Sequence, residues 1–265
     1  MSRPLWKGTV SFGLVNIPVA LYGATDELKV SFRTLHKGCA APIAQQHTCT
    51  ACKQVVERAD EVKGYEVEEG RFVVMEEADF AGLPVASQTS IKVVGFVDSF
   101  QVDPRQLDEP YFMGIGQTKR GKVNVVDQGA AKGFALLHAA MQKLDKLAVA
   151  KVTMRQREKL VVFRPYGDVM LLQTLRWPDE LRSAEAPALP EVSDKELALA
   201  ESLVNAIGGC DLTKFSDEYR EALEKVIQAK AAGQPVVSAV PTEAEATVDV
   251  MGGLEASLAA LRGAV

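Results

Sequence analysis

The stretch Trp6–Tyr22, WKGTVSFGLVNIPVALY, constrains the fold of this 265-residue chain more than any other. Thr9, Val10, Ser11 and Phe12 alternate small polar with apolar side chains, the period-2 pattern of a half-buried strand. Gly13 interrupts the run, and a glycine inside a strand pattern predicts a bulge or a close backbone approach. Leu14–Tyr22 reads as a second extended run. Pro18 within it has no N–H to give to a ladder, so a central strand paired on both sides does not fit there. An edge strand, or one bent around a barrel corner, does. The chain therefore opens on a strand pair that belongs to a β-rich domain.

The pattern continues to about Arg176. Arg71–Met75, Ser90–Val97, Leu147–Thr153, Lys159–Arg164 and Val169–Leu175 are short apolar runs rich in β-branched residues, and Pro165-Tyr-Gly-Asp marks a hairpin between the last two. One helix interrupts them: Phe134, Leu137, Met141 and Leu144 recur at spacings of three and four between Gly129 and Lys146. Many strands and few helices imply a barrel or a sandwich.

The charge is polarised. The chain carries a net −5, yet residues 119–176 hold 12 basic against 4 acidic residues, while residues 179–265 are strongly acidic. Gly114–Asp127, GIGQTKRGKVNVVD, has three Lys/Arg and one acid, and reads either as a solvated loop or as a basic arm that touches phosphates. Arg155, Arg157 and Lys159 alternate with Met154, Gln156 and Glu158, so on a strand they share one face. Lys151, Arg164 and Arg176 fall on neighbouring strands. A sheet face or channel lined in this way would engage a phosphate backbone and read no bases.

The strongest chemical constellation is His36-x2-Cys39, nine residues, then Cys49-x2-Cys52. Two paired-ligand knuckles can close a tetrahedral Cys3His zinc site. The protein would fill all four positions, so such a zinc is structural. His47 competes for the fourth place. A redox role for the lone C-x2-C lacks the strand-to-helix context, and Cys210 stands alone. Phosphate-binding, dinucleotide-binding, metalloprotease and serine-hydrolase signatures are all missing from the sequence, so the chain reads as a non-enzyme. His138 reads as a packed or surface side chain. With no apolar h-region after Met1 and no apolar run near the length of a membrane span, a cytoplasmic protein without membrane contact is expected.

After Trp177 the character changes. Residues 183–192 form a Pro/Ala linker. Ser193-x-x-Glu196 is a capping box ahead of the stripe Leu197, Ala200, Leu203, Val204, Ile207, which Gly208-Gly209 stops. Ser216 is the expected cap of a second helix carrying Tyr219 and Leu223 and ending near Gly233. Two helices cannot bury a core alone and must pack on the barrel or on another subunit. Residues 234–247 read as a linker. Val250, Leu254, Leu258 and Leu261 then form a last apolar stripe, weakened by Gly252 and Gly253, each costing about 1 kcal/mol relative to Ala.

As a string, the opening resembles that of the bacterial Ku proteins, the DNA-end-binding factors of non-homologous end joining. The resemblance continues in order through Leu35-His-Lys, the later C-x2-C, Lys63-Gly-Tyr-Glu, Lys159-Leu-Val-Val-Phe-Arg-Pro, Leu175-Arg-Trp-Pro-Asp-Glu, Lys195-Glu-Leu-Ala-Leu-Ala and Tyr219-Arg-Glu-Ala-Leu. It implies a mainly β fold with α additions: a Ku-type barrel core over residues 1–182 with a DNA-encircling arch at about 105–133, a helical arm over 183–233, a linker over 234–247, and a partner-docking helix over 248–265. It implies a homodimeric ring that threads double-stranded DNA ends, located at the bacterial nucleoid. Lys119, Arg120, Lys122, Lys132, Lys151, Arg155, Arg157, Arg164 and Arg176 would line the channel. The last segment would recruit the ATP-dependent DNA ligase D. Gly114–Gln128 departs from the family pattern, as do Gly252 and Gly253, and no Lys-rich tail follows Lys230. The alternative is a zinc-containing barrel that binds single strands or RNA; it needs aromatic stacking platforms, and only 6% of the chain is aromatic.

Overall fold

The computed structural model describes residues 3–81, 89–120, 123–154, 157–235, 252–254, 256, 257 and 259. In chain order the elements are β1 (Trp6–Phe12), β2 (Val15–Gly23), β3 (Lys63–Glu68), β4 (Arg71–Met75), α1 (Glu77–Ala81), β5 (Ser90–Val97), β6 (Leu107–Ile115), β7 (Gln117–Arg120) and β8 (Val123–Val126). They are followed by α2 (Gln128–Leu144), β9 (Leu147–Met154), β10 (Arg157–Tyr166), β11 (Val169–Leu175), α3 (Asp194–Ile207) and α4 (Glu218–Ala231).

Seven strands close into a barrel in the order β1-β2-β6-β11-β10-β9-β5. Every neighbouring pair is antiparallel except the seam, where β1 runs parallel to β5 through Thr9↔Ser90, Val10↔Ile91 and Ser11↔Lys92. Closure removes the exposed edges that an open sheet of these strands would present.

The opening stretch is the β1–β2 hairpin. Gly13 lies not in a bulge but at the first position of its two-residue turn, with φ +57°, a conformation that costs other residues energy. Pro18 pairs with Thr9 of β1, while the ladder of β2 with β6 begins one residue later, at Val19↔Ile115. Its missing N–H therefore costs nothing, and its carbonyl accepts from Gly116 N at 2.8 Å. A Cβ on Gly116 would lie 2.9 Å from the Pro18 carbonyl carbon, so only glycine lets the two backbones meet there.

Size complementarity fills the interior. Ala148, Ala150 and Val152 of β9 face inward, and Phe163 of β10 sits opposite Ala148, so a small side chain makes room for a ring. Fully burying such a ring stabilises the fold by about 1.5–3 kcal/mol. Ile17, Leu21, Ile91, Met113, Met170 and Leu172 complete the packing. α2 packs on β2 and β10 and adds Phe134, Leu137 and Met141 to the same core. Leu144, the last residue of the predicted helical stripe, is exposed. Asp127 caps α2 through Ala130 N, and Asp145 ends it in the left-handed region.

The chain divides into two compact units: Met1–Glu27 with Arg33–Ser183, and Leu28–Phe32 with Ala184–Val265. In the second, α3 carries the predicted capping box, Ser193 with Glu196. α4 is capped by Asp217 rather than by the expected Ser216: the carboxylate of Asp217 accepts from Arg220 N at 3.0 Å, the reach an N-cap needs. Among the described residues, neither helix buries a side chain.

Candidate nucleic-acid interface

Alternation along β9 and β10 decides where the predicted cations go. On β9, Ala150 and Val152 are buried and Lys151 between them is exposed. Its direct cross-strand neighbour on β5 is Lys92, also exposed. Lys151 Nζ donates to Glu158 Oε2 at 3.2 Å and lies 5.3 Å from the centre of the Trp177 ring, within cation–π range. Trp177 opens a tight turn in which its N–H donates to Glu180 Oε2 at 2.7 Å. The outer wall thus presents two ammonium groups, one of them braced by a carboxylate and an indole.

Arg157 and Lys159 keep a common parity on β10, as their spacing predicts. They pair with Met154 and Val152, on the register that faces the barrel interior. Lys159 Nζ lies 3.6 Å from Asp108 Oδ2, and Arg176 Nη2 lies 3.8 Å from Asp108 Oδ1. One carboxylate therefore sits between two cations. Thr174, fully buried, donates its hydroxyl towards Asp108 Oδ2 at 3.3 Å and accepts from Glu109 N at 3.0 Å. Arg176 is further fixed by Gln106: Arg176 N donates to Gln106 O at 2.7 Å, and the Gln106 side-chain amide donates back to Arg176 O at 3.2 Å.

The cations do not form one sheet face. Lys151 and Arg164 lie on the opposite parity to Arg157 and Lys159, and Arg164 is on the same strand as Arg157, not on a neighbouring one. Arg164 is exposed and borders a cavity of about 150 Å³ with Met141, Gln142, Asp145 and Lys146. Lys146 itself is bound to Asp98 at 2.6 Å. Lys132 is exposed on the second turn of α2. Of residues 105–133, Leu107–Ile115 form a barrel strand and 128–132 begin α2, which leaves the β7–β8 hairpin between them. Lys119 and Arg120 lie on the backbone of β7; Lys122 and Arg155 lie outside the described residues.

Lys92 is the residue the sequence reading missed. It stands in a run recognisable as a strand, but only the barrel register puts it opposite Lys151. Asp108 was missed likewise: nothing in its local sequence announces two cations contributed from residues 159 and 176.

The ligand knuckles are both formed as tight turns. His36 Nδ1 is 3.1 Å from Cys39 Sγ. Cys49 is drawn below the usual thiol range by backbone hydrogen bonds from Cys52 and Ala51 and by the Cys52 side chain. His47 Nδ1 is engaged by Glu61 Oε1 at 2.6 Å, which sets it apart from the thiols. Among the described residues no three His, Cys, Asp or Glu side chains converge closely enough to hold a metal ion, so the four predicted ligands stand as two pairs and not as one centre.

Elsewhere, Asp103 is held down to about 2 by Arg105, whose Nη2 is 2.6 Å from Oδ2. Leu254 is half-buried within a helical stretch, while Val250, Leu258 and Leu261 lie outside the described residues. No helix among the described residues is long and apolar enough to cross a membrane.

Residues 11–199 match the family model described as the Ku70/Ku80 beta-barrel domain. The chain is 36% identical over 264 residues to the non-homologous end joining protein Ku of Symbiobacterium thermophilum, covering 97% of this chain and 63% of that protein. It is 39% identical over 265 residues to the protein of the same name from Frankia casuarinae, covering 98% and 64%. It thus spans somewhat under two thirds of both. It is 35% identical to the Archaeoglobus fulgidus protein of that name, of which it spans 100%. A match over most of the chain, together with the closed barrel, assigns it: the chain belongs to the Ku family.

Proposed function

We propose that the protein binds the ends of duplex DNA without reading base sequence, as a homodimeric ring that DNA enters only from a free end. It would serve end joining by protecting ends and recruiting a ligase, with no catalysis of its own. The observation that carries the DNA reading is the Lys92–Lys151 pair. Like charges placed directly opposite on a sheet are destabilising, and a phosphate between them turns that cost into an attraction. The names of the relatives, all non-homologous end joining proteins, supply the biological setting.

Dimerisation is supported by α3 and α4. Leu197, Val204, Ile207, Phe215 and Tyr219 are all more than half exposed. Helices this amphipathic that bury nothing need a partner surface, and a second copy supplies one. In this reading residues 248–262 dock the ligase, so truncation from Val236 onward keeps end binding and abolishes ligase stimulation.

The deciding experiment is topological. Linear duplex should compete for binding, and the same duplex covalently closed should not. Equal competition by closed circles at equal mass would leave an ordinary nonspecific DNA binder. Affinity should also fall steeply with salt, because phosphate contacts release counterions.

A further inference from the structure

Three of the cations described above keep company with a carboxylate. On the outer wall Glu158 Oε2 accepts from Lys151 Nζ at 3.2 Å. On the other parity Asp108 stands 3.6 Å from Lys159 Nζ and 3.8 Å from Arg176 Nη2. The two groups adjoin. Lys151 pairs across the ladder with Leu160, the residue after Lys159. Lys151 Nζ also lies 5.3 Å from the centre of the Trp177 ring, and Arg176 is the residue before Trp177. All three members of the Asp108 group are open to solvent: the side chain of Asp108 is 33% exposed, that of Lys159 32% and that of Arg176 54%.

The geometry around Asp108 is not that of a strut. A charged N–H that braces a carboxylate closes to about 2.7–2.9 Å, and neither cation does so. Other groups carry the structural work. Arg176 is held by Gln106 through two hydrogen bonds. β6 is held to the buried Thr174 of β11, whose hydroxyl accepts from Glu109 N at 3.0 Å. The one hydroxyl proton of Thr174 has two acceptors at 3.3 Å, Asp108 Oδ2 and Glu109 O, so it keeps a partner when the carboxylate turns away. Asp108 can therefore release both cations without opening the β6–β11 ladder.

We propose that Asp108 is a built-in competitor of phosphate: it masks Lys159 and Arg176 in the free protein and gives them up to the backbone of a bound duplex. The inference rests on the duplex-binding reading above and names what regulates that surface. A carboxylate held by charge alone between two cations stands where a phosphate oxygen would. A phosphate can approach either cation to hydrogen-bonding distance, which Asp108 does not. The carboxylate also relieves the repulsion between Lys159 and Arg176 while no DNA is bound, so the masked state is the resting one. A lone anion from solution gains little by displacing a tethered carboxylate. A duplex presents many phosphates in a row, and its hold on neighbouring cations such as Lys151 brings one of them to Asp108 at high local concentration. The device thus favours polyanions over single anions.

The test uses the full chain with Asp108→Asn, which keeps an oxygen for Thr174 and removes the charge; Asp108→Ser repeats it should the amide disturb the fold by near-ultraviolet circular dichroism. Linear duplex should bind the variant several-fold more tightly at low salt, with a salt slope steeper by about 1 for each unmasked cation. Glu109→Gln removes a charge from the next residue, bonded to Tyr111 and to neither cation, and should leave the slope unchanged. In a Lys159→Gln, Arg176→Gln background the gain from Asp108→Asn should vanish. A gain that survives there, or one matched by Glu109→Gln, overturns the proposal, because Asp108 is then one surface charge among others. A heparin column supplies a polyanion that is not DNA, and Asp108→Asn should leave it at higher salt than the parent. If neither protein binds linear duplex but the variant still elutes later from heparin, the end-binding reading falls and the masking stands. If the parent binds duplex ends and the variant shows the same slope and the same elution, the masking alone is overturned.

Discussion

Lys92 and Lys151 stand directly opposite one another across the β5–β9 ladder on the outer wall of the barrel. The barrel tolerates the repulsion partly because Glu158 and Trp177 engage Lys151 and leave Lys92 the freer charge. Lys92→Gln should therefore stabilise the free protein by a few tenths of a kcal/mol, within the roughly 0.2–1 kcal/mol range of cross-strand pairs. It should at the same time weaken duplex binding and lower the salt slope by about 1, the share of a single phosphate-binding cation. Denaturant titration beside a salt series of DNA affinity reads both effects. A variant that loses stability, or one that binds DNA with an unchanged slope, would remove this wall from the interface.

Asp103 and Arg105 make a pH-sensitive fastening. Arg105 grips the carboxylate of Asp103 and also donates from Nη1 to Arg182 O at 3.0 Å. The Asp103 carboxyl sits at about 2 in the folded chain against an ordinary 3.8. A depressed acid adds stability above its unfolded value and loses it as the pH falls through its folded one. The contribution is thus complete above about pH 5 and fades between about 4 and 2. Asp103→Asn keeps an acceptor for the turn and discards the charge. Its stability should decline less than that of the parent over that window, measured by urea midpoint at each pH. Parallel decline of the two proteins would show that the pairing contributes nothing.

Much of this was legible in the residues. β4, β5 and β11 coincide to the residue with the apolar runs that predict them, and Phe134, Leu137 and Met141 of α2 keep the 3.6 period, because both signals are local to the stretch that carries them. The closure of the barrel was not legible: β1 and β5 meet in parallel across more than seventy residues, and no local pattern records a partner at that distance. That is why Lys92 went unread beside Lys151, and why cations that look equivalent along β10 and its neighbours divide between two sides of the wall. The segment of β7 and β8 reads from sequence as a solvated loop or a basic arm, because two four-residue strands are too short to set up a clear period. The four metal-ligand candidates are marked by their spacing, but spacing alone does not say that they stand as two separate pairs among the described residues.

Phe215 and Tyr219 offer a test of assembly. They are 71% and 77% exposed and lie outside the barrel core, so charge placed there should not disturb barrel folding. Phe215→Asp with Tyr219→Asp should convert a dimer to a monomer by sedimentation equilibrium, with near-ultraviolet circular dichroism of the barrel unchanged. Loss of end binding should accompany the loss of the dimer. A dimer of undiminished affinity would place the subunit contact elsewhere.

The parallel seam gives the sharpest stability prediction. Thr9 N donates to Thr89 O at 2.8 Å beside the start of the β1–β5 ladder, and Trp6 Nε1 donates to Thr153 O at 3.2 Å. Gly8 lies between these two fastenings. A Cβ there would stand 2.3 Å from Thr89 O and 2.2 Å from the Trp6 ring. The ring could swing only by giving up its bond to β9, and the carbonyl could retreat only by opening the seam. Gly8→Ala should therefore destabilise the protein by about 1–3 kcal/mol, the usual cost of overpacking. The gain of about 0.4–1 kcal/mol expected where alanine merely stiffens the unfolded chain should not appear. Adding Trp6→Leu removes the ring but not the carbonyl clash, so it should restore only part of the loss. Full restoration would mean that the indole alone sets the constraint and that the seam can move at little cost.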